Sequence, residues 1–584
     1  MTRSIETAVL IVGAGPVGLT LAMDLAWRGI DVTVVELRHA GAPPRIRSNH
    51  ISARSMEIFR RLGIAGKVRG IGLPDGYSND VSFRTTITGI EFARIPIPSR
   101  AERYSAADGP DTWWPTPEPP HRVNQIYLEP LLLAHAAAQT HIRIVHRSRV
   151  EDFTQNEAGV IATVRDLESD ETFSVACDYL VGCDGGKSTV RKKIGVSLAG
   201  MPVIQRVQST YIRAPRLLSL LPDAPAWLYQ IRNPRRCGTV FAIDGRENWL
   251  VHNYLHDEEV GYDSVDRDWA IRTILGVGPD FRYEVISNED WVGRRLIADR
   301  FRDRRVFICG DAAHVWIPYA GYGMNAGIAD AANLSWLIAA TLNAWAHPAI
   351  LEAYEIERRP ITEQVSRFAM DIALKNIEQR DQTSNDIEMP GPLGDAVRTQ
   401  AGKEAYELNI QQYCCGGLNF GYFYDGSPII AYDGEVQPAY TMYDFTPSTV
   451  PGCRLPHRWL YNGQSLYDAL GRGYTLLRFD PSVHVSGQVD AAAQRRVPLK
   501  FLDVDLSDGR ALYARKLVLV RPDQHVAWRG DDAPAASGEL IDRLRGTHIG
   551  LTRQAAWRHC RRWYPRRIRQ RAECSKVRSG NSDP

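Results

Sequence analysis

The N-terminal glycine pattern constrains the fold of this chain more than any other feature of its sequence. Gly13, Gly15 and Gly18 form a GxGxxG pattern directly after an apolar run at 8–12. A second apolar run ends at Glu36, 18 residues after the last of these glycines. A strand, a glycine turn, a helix and a second strand within about 30 residues form the βαβ unit that binds dinucleotides. The pattern therefore predicts an α/β domain built on a parallel sheet.

Each position of this motif has a physical role in binding a pyrophosphate. Gly13 permits the tight turn, Gly15 lets the backbone approach the phosphates, and Gly18 lets the helix pack closely on the strand. Pro16 lies in the same turn, where the start of the helix offers N–H groups and a positive dipole to the phosphates. Glu36 can accept hydrogen bonds from a ribose diol. These features suit any dinucleotide and do not separate NAD from FAD.

Two further glycine motifs follow in the chain, each after an apolar run. The first is a DGxxSxxR pattern that ends at Arg191, and the second is GDAAH, which continues through a proline to GMN. Three such motifs in this order are hard to explain except by one bound flavin dinucleotide. The positions concerned are Asp184, Gly185, Gly310, Asp311, Pro318, Gly323, Met324 and Asn325.

Taken together, the motifs resemble those of the class A flavoprotein aromatic hydroxylases, the 4-hydroxybenzoate/phenol hydroxylase superfamily. The resemblance covers about residues 5–550 and is best to the large three-domain members. Within these, the ARSMEIF and FARIPI segments look most like hydroxylases that tailor polyketides and indole-derived aromatics. The resemblance implies an α/β fold with a Rossmann-like FAD-binding domain, an interleaved β-sheet substrate domain and a C-terminal thioredoxin-like domain.

The expected boundaries combine this resemblance with changes in composition along the chain. The stretch near 380–400 is typical of a linker. The C-terminal unit has no CxxC pair, so we expect no thiol exchange there. The expected segments are 1–75, 101–195 and 290–380 for the FAD-binding domain, 76–100 and 196–289 for the substrate domain, 381–434 for a linker, 435–552 for the thioredoxin-like domain and 553–584 for a basic, disordered tail.

The resemblance also implies a role for each motif residue. Asp311 would hydrogen-bond a ribityl hydroxyl of FAD, and Pro318 would lie beside the reactive edge of the isoalloxazine. Backbone N–H groups of Gly323, Met324 and Asn325 would face the N1/C2 carbonyl edge, where the positive end of the following helix can stabilise the reduced flavin.

Three further side chains match positions that contact the cofactor in this family. Arg47 matches a cofactor-contacting arginine, and Arg45 is close to it in sequence. Arg122 and Gln125 match a pair next to the ribityl chain and pyrophosphate. Arg191 either contacts the cofactor or holds its loop through a salt bridge. The remaining positions implied for FAD or NAD(P)H are Asp184, Gly185 and Gly310.

The sequence departs from the family pattern at the catalytic base. Phenol-type members carry Asp or His where this chain has Asn49, which cannot take a proton at neutral pH. His50 is one residue along and titrates in a useful range, although a histidine that only supports its neighbours is the alternative. Ala320 also replaces a glycine that is usual before the GMN segment. We assign His50, Asn49 and Pro318 to the catalytic site.

The predicted activity is that of an FAD-dependent, NAD(P)H-consuming monooxygenase, with O2 as co-substrate. It would hydroxylate a phenolic, polyketide or indole-derived aromatic through a flavin C4a-hydroperoxide. The alternatives are oxygenation at an aliphatic or ketone carbon, or a flavoprotein without turnover that binds a reactive intermediate. The substrate pocket would lie against strands 200–290, where Trp227, Tyr229, Phe241 and Trp291 are either wall or core residues.

Composition and charge exclude several other classes of protein. No apolar run reaches the roughly 18 residues needed to span a bilayer. Nine cysteines without a CxxC pair favour reduced thiols and give no indication of a metal site. The net charge is +2, and the basic excess lies in the tail. We therefore expect a cytoplasmic enzyme that uses NADPH or NADH and acts on a small aromatic substrate. We expect no nucleic acid or membrane partner, and a homodimer is one assembly open to the chain.

Overall fold

The computed structural model describes residues 4–47, 49–506 and 509–549. The tail that we expect to be disordered, 553–584, lies outside these residues. Within the described ranges, no helix is both long and apolar enough to cross a membrane.

The strands alternate with helices at the N-terminus and then run consecutively in the middle of the chain. In chain order they are β1 (Ser4–Val12), β2 (Val32–Val35), β3 (Val81–Arg84), β4 (Glu91–Ile95), β5 (Ile142–Val145), β6 (Ser148–Gln155), β7 (Val160–Asp166), β8 (Thr172–Gly182), β9 (Leu198–Arg213), β10 (Leu228–Ile231), β11 (Gly238–Ala242), β12 (Asn248–Tyr254), β13 (Glu284–Asn288), β14 (Trp291–Ala298), β15 (Arg302–Asp303), β16 (Val306–Ile308), β17 (His314–Trp316), β18 (Tyr474–Arg478), β19 (Leu499–Asp503), β20 (Leu517–Val520) and β21 (Val526–Gly530).

The α-helices include two long ones that follow the last motif. In chain order they are α1 (Pro16–Trp27), α2 (Ala53–Arg61), α3 (Ala65–Arg69), α4 (Gln125–Ala137), α5 (Thr189–Lys193), α6 (Arg267–Leu275), α7 (Gly323–Leu342), α8 (Glu352–Asp381), α9 (Pro392–Tyr413), α10 (Leu466–Ala469), α11 (Ser486–Gln494) and α12 (Ser537–Leu544).

The first sheet confirms the predicted Rossmann-like domain. Its strand order is β15-β16-β8-β1-β2-β5, and β16, β8, β1, β2 and β5 run parallel. Residues 9–12 of β1 are buried, as expected for a strand between two parallel neighbours. Helices α1 and α7 pack so closely that a Cβ atom at Gly327 would lie 2.6 Å from the Val17 side chain.

The second sheet is interleaved with the first domain, as expected. Its order is β17-β14-β9-β12-β11-β10-β3-β4, with β13 also paired to β9. The side chains on its two faces alternate along each strand. Trp249 and Val251 pack in a core with Tyr229 on one face, whereas Leu250 packs near Ile46 on the other face, toward the FAD-binding domain.

The segment that we expected to be a linker, 381–434, contains the 22-residue helix α9. This helix packs on β4 so closely that a Cβ atom at Gly402 would lie 2.3 Å from the Phe92 carbonyl oxygen. Its buried side includes Gly402, Ala405, Asn409 and Gln412. Small and amide residues give no apolar stripe, so the periodicity that predicts a helix is absent.

The C-terminal sheet has the order β19-β18-β20-β21. Strands β18 and β19 are parallel and joined through α11, and β20 and β21 are antiparallel and followed by α12. This connectivity is thioredoxin-like. Buried ion pairs attach the unit to the FAD-binding domain, with Arg521 contacting Glu357 at 2.6 and 2.7 Å and Arg454 contacting Glu57.

Candidate active site

The first glycine turn leaves open space at the start of α1. Gly13 has a φ of 106°, and a Cβ atom there would lie 2.5 Å from the Cys183 carbonyl oxygen. A Cβ atom at Gly18 would lie 2.0 Å from the Gly13 carbonyl oxygen. By contrast, a Cβ atom at Gly15 would meet nothing within 4 Å. The turn is therefore closed on the protein side and open beside the first N–H groups of the helix that begins at Pro16.

Glu36 is buried at the end of β2 and braces this turn. Its Oε2 accepts a hydrogen bond from the Ala14 N–H at 2.7 Å, and its Oε1 accepts bonds from Arg38 N and Nε at 2.9 Å. Burial acts to raise the pKa of Glu36, but the hydrogen bonds from Arg38 and Ala14 hold it below its usual value. The carboxylate is thus kept ionised and can accept further bonds from a ribose.

The DGxxSxxR motif joins two parts of the site. Asp184 Oδ2 accepts hydrogen bonds from the N–H groups of Thr189 at 2.7 Å and Val190 at 3.1 Å. Its Oδ1 is buried and has no hydrogen-bond partner among the described residues. Such an atom fits a ligand donor, because an unpaired buried oxygen is costly. Gly185, the next residue, has a φ of 77°, and a Cβ atom there would meet nothing within 4 Å.

Arg191 ties this motif to the GDAAH loop. Its Nη1 donates to the Ala312 carbonyl and its Nη2 to the Gly186 carbonyl, both at 3.0 Å. Arg191 therefore holds its loop through carbonyl groups rather than through the salt bridge considered above.

Asp311 lies in a 3₁₀ turn that follows β16. The preceding residue, Gly310, has a φ of 61°, and a Cβ atom there would lie 3.1 Å from the Val17 side chain. The Asp311 side chain keeps accessible surface although many protein atoms lie around it. Burial raises its pKa above the usual value, while His314 and Arg47 oppose the shift. An accessible carboxylate at this position suits the hydroxyl groups of a ribityl chain.

The turn before α7 is built around Asn325. Its Oδ1 accepts from Ser52 N at 2.9 Å and Ser55 Oγ at 2.8 Å. Its Nδ2 donates to the carbonyls of His50 at 3.0 Å and Gly321 at 2.8 Å. Both polar atoms of the Asn325 side chain are therefore occupied by hydrogen bonds to protein groups.

The backbone at the start of α7 remains available to a ligand. The helix begins at Gly323, and the first N–H groups of a helix have no intrahelical partner. The N–H groups of Gly323, Met324 and Asn325 can therefore face the flavin edge. Pro318 is exposed at the start of the same turn.

Arg45 and Arg47 are exposed, and Gln125 begins α4, where it donates to Glu129 at 2.9 Å. Arg122 is instead buried between the two domains. Its guanidinium stacks over Trp227 at 4.7 Å and donates to the Tyr413 carbonyl at 3.3 Å.

The structure does not favour His50 as the base. The imidazole is buried, and its Nδ1 accepts a hydrogen bond from Arg122. Burial, followed by the charges of Arg122 and of nearby His121 and Arg103, holds the pKa of His50 well below its usual value. His50 is therefore neutral with one nitrogen already occupied. Asn49 accepts a hydrogen bond from Asn124 and cannot replace it.

A continuous row of rings runs from the end of α9 across the second sheet toward the flavin turn. Tyr413 and Trp227 are 6.2 Å apart between ring centroids, and Trp227 and Phe241 are 5.9 Å apart. Phe241 and His252 are 5.2 Å apart, and His252 and Trp291 are 5.6 Å apart. We call these five residues the aromatic wall.

Three of the four proposed pocket residues belong to the aromatic wall, and Tyr229 does not. Tyr229 packs against Trp249 at 6.3 Å on the opposite face, and its hydroxyl accepts from Ala226 N at 2.8 Å. Sequence reasoning missed Tyr413, because α9 was expected to be a linker. It also missed His252, because a single histidine in a strand carries no pattern.

A polar group closes one end of the aromatic wall. Arg380 stacks on Tyr254 at 4.0 Å and donates to the Tyr319 hydroxyl at 2.9 Å and to Gln205 at 2.8 Å. Tyr319 directly follows Pro318, so this group connects the wall to the flavin turn.

Comparison with known proteins agrees with this geometry. The FAD binding domain family matches residues 6–369, and the family described as aromatic-ring hydroxylase, C-terminal, matches residues 448–550. The chain belongs to the class A flavoprotein aromatic hydroxylases. This hydroxylase is thus a single-component, FAD-dependent monooxygenase that uses NAD(P)H and O2.

Relatives cover nearly the whole chain. A putative polyketide hydroxylase of Streptomyces halstedii is 30% identical to this hydroxylase, over 92% of this chain and 95% of the relative. Phenol 2-monooxygenase of Pseudomonas sp. (strain EST1001) is 29% identical, over 94% of each chain. The rebeccamycin biosynthetic enzyme RebC with reduced flavin superposes with a TM-score of 0.83 at 35% identity, over 93% of this chain and 100% of RebC.

Proposed function

We propose that this hydroxylase acts on a phenol fused to further aromatic rings, of polyketide or indole-derived type. The observation that carries the proposal is the aromatic wall, a row of five rings with centroid spacings from 5.2 to 6.2 Å. Trp227 is buried behind the row, whereas the four partly exposed rings, Tyr413, Phe241, His252 and Trp291, offer offset-stacked and edge-to-face contacts to a flat substrate. A single-ring phenol could contact only part of the row.

Two relatives support this substrate class. RebC has been solved after soaking with chromopyrrolic acid. Aklavinone-11 hydroxylase, 26% identical to this chain, has been solved as a ternary complex with FAD and aklavinone.

We assign the FAD site to the open side of the glycine turns. The turn at Gly15 and the start of α1 would hold the pyrophosphate, Glu36 the ribose and Asp311 the ribityl chain. The N–H groups at the start of α7 would stabilise negative charge on the flavin edge. When bound, the flavin supplies electron transfer from NAD(P)H and the oxygen atom from O2.

The aromatic wall would orient the substrate and exclude water from the flavin edge. Trp291 packs against the hydrophobic cluster that contains Ile317 and Tyr319, so one end of the wall lies near the flavin turn. A substrate ring stacked at this end would lie close to Pro318. Holding the ring and the cofactor in one geometry is the main contribution a protein makes to such a reaction.

The proposal predicts that turnover improves with the number of fused rings. Phenol, 1-naphthol and a hydroxyanthracene would be compared for stimulated NAD(P)H oxidation, with the products identified by mass spectrometry. We expect kcat/KM to rise along the series, because each added ring buries more apolar surface at about 25 cal/mol per Å². Trp291→Ala should lower kcat/KM for hydroxyanthracene at least about tenfold, or about 1.4 kcal/mol.

The matched control is Trp459→Ala, because Trp459 is 55% exposed in the C-terminal unit. It should behave like the wild type. Equal kcat/KM for phenol and hydroxyanthracene would contradict the substrate class. Bound flavin without stimulated oxidation by any compound would instead favour a binder without turnover, and a product hydroxylated at a saturated carbon would favour the aliphatic alternative.

We also propose a cytoplasmic location. The described cysteines are all unpaired, which is usual in a reducing compartment.

A further inference from the structure

His252 lies at the centre of the aromatic wall. It belongs to β12, a central strand of the second sheet, and its cross-strand neighbours are Thr239 on β11 and Ser209 on β9. Paired residues point to the same face, and both neighbours are small. The imidazole therefore stands above them, between the rings of Phe241 and Trp291.

Among the described residues, neither ring nitrogen of His252 has a hydrogen-bond partner, and its contacts are with aromatic rings. The side chain nevertheless keeps accessible surface although protein surrounds it. Its polar atoms are therefore available to a ligand on the face of the sheet that carries the aromatic wall. The fully buried histidines differ, because each has a polar partner: His50, His121, His314, His457 and His525.

The surroundings of His252 keep it neutral until a partner arrives. Burial alone lowers the pKa of His252 to about 3, and no charged group contributes. The ionisable groups on the same face are Tyr254 on β12, Tyr211 on β9 and Arg380, which stacks on Tyr254. At the far end of the aromatic wall, Tyr413 and Arg122 both contact Trp227. β11 and β14 present Thr239, Phe241 and Trp291. A neutral imidazole offers one donor and one acceptor.

We propose that His252 accepts the proton of the substrate's phenolic hydroxyl, a task for which Asn49 has no basic nitrogen and for which His50 has one ring nitrogen already bonded to Arg122. The inference rests on the proposed function, since it requires a phenol against the aromatic wall. The O–H bond breaks, the proton passes to a ring nitrogen, and the electron pair remains on the phenolate oxygen. The phenolate then stabilises the adjacent imidazolium, because an opposite charge nearby favours the charged form.

The proton returns later in the cycle. Once one oxygen atom of O2 is bonded to the ring carbon, the hydrogen on that carbon leaves as a proton, which is taken up as the second oxygen atom is released as water. The imidazolium gives its proton back to the former phenolate oxygen, now a carbonyl, and the ring becomes aromatic again. His252 ends the cycle neutral.

Ionisation of a bound probe tests this role on the FAD-loaded enzyme. 4-Nitrophenol would be titrated with pH in the wild type and three variants, and its phenolate followed by absorbance against probe-free enzyme. His252→Gln keeps a hydrogen-bonding group that takes no proton, and His252→Phe keeps a ring. His256→Gln is the control, because His256 is exposed four positions along the chain.

We expect the wild type and His256→Gln to lower the apparent pKa of the bound probe by at least about one unit, or tenfold in its ionisation constant. His252→Gln should return the pKa to the value in buffer, and His252→Phe should also weaken binding. The same pKa in His252→Gln and the wild type, or no ionisation of the probe by the wild type, would overturn the inference.

Turnover separates this inference from the proposed function. If His252 is the base, both His252 variants should lower kcat for 1-naphthol by about 10²-fold or more at neutral pH, with a smaller loss at high pH. A wild type that consumes no NAD(P)H with any phenol would defeat the proposed function, whatever the probe shows. A wild type that turns over normally beside unaffected His252 variants would defeat the inference alone.

Discussion

Ala320 has a left-handed backbone, with a φ of 62° and a ψ of −2°, in the turn before α7. A Cβ atom on a left-handed residue destabilises the folded state by about 1–2 kcal/mol. Glycine instead lowers the free energy of unfolding by about 0.4–1 kcal/mol, because it gives the unfolded chain more conformational freedom. We expect Ala320→Gly to leave the melting temperature unchanged or to raise it. Ala329→Gly, within α7, should lower stability by the roughly 1 kcal/mol that glycine costs in a helix. Thermal unfolding of both holoenzymes measures this, and a greater loss for Ala320→Gly would contradict the account. Positions of this kind can be predicted from sequence because the glycine rule is local. His252 could not be predicted, because its neighbours come from strands far apart in the chain.

Three elements meet at Asn325, which joins the start of α2, the segment before it and the start of α7. Asn325→Ala would leave the Ser52 N–H and two carbonyls unpaired, each at a cost of about 1–3 kcal/mol. We expect a lower melting temperature and a loss of FAD on gel filtration, because the turn that borders the flavin would loosen. Asn343→Ala is the control, since Asn343 is exposed at the end of α7 and makes only a 3.5 Å bond to a carbonyl. Equal flavin retention by the two variants would show that Asn325 does not position the turn. Sequence patterns predicted α1, α2 and α7, whose apolar or glycine-marked faces are distinct. They missed α9, whose buried face is small and amide-rich.

Buried ion pairs join the C-terminal unit to the FAD-binding domain. Glu357 on α8 contacts Arg521 of the C-terminal unit, and both side chains are fully buried. Arg454 and Glu57 pair in the same region, although 397 positions separate them in the chain. The order of the three domains could be predicted, because each glycine motif directly follows an apolar strand in the sequence. The ion pairs could not be predicted, because no local pattern connects their partners. The thiol of Cys453 lies near this junction, and burial raises its pKa to about 12. The C-terminal unit therefore supports the fold and has no reactive thiolate there to offer to the reaction.

Isotope labelling tests the central claim most directly. The FAD-loaded enzyme would be turned over with NAD(P)H and the best fused-ring phenol under ¹⁸O2 in ordinary water, and the product analysed by mass spectrometry. If the protein is an aromatic monooxygenase, the new ring hydroxyl carries one labelled atom, and the reverse experiment in labelled water leaves it unlabelled. A hydroxyl oxygen that comes from water, or NAD(P)H consumption without any ring-hydroxylated product, would contradict the account.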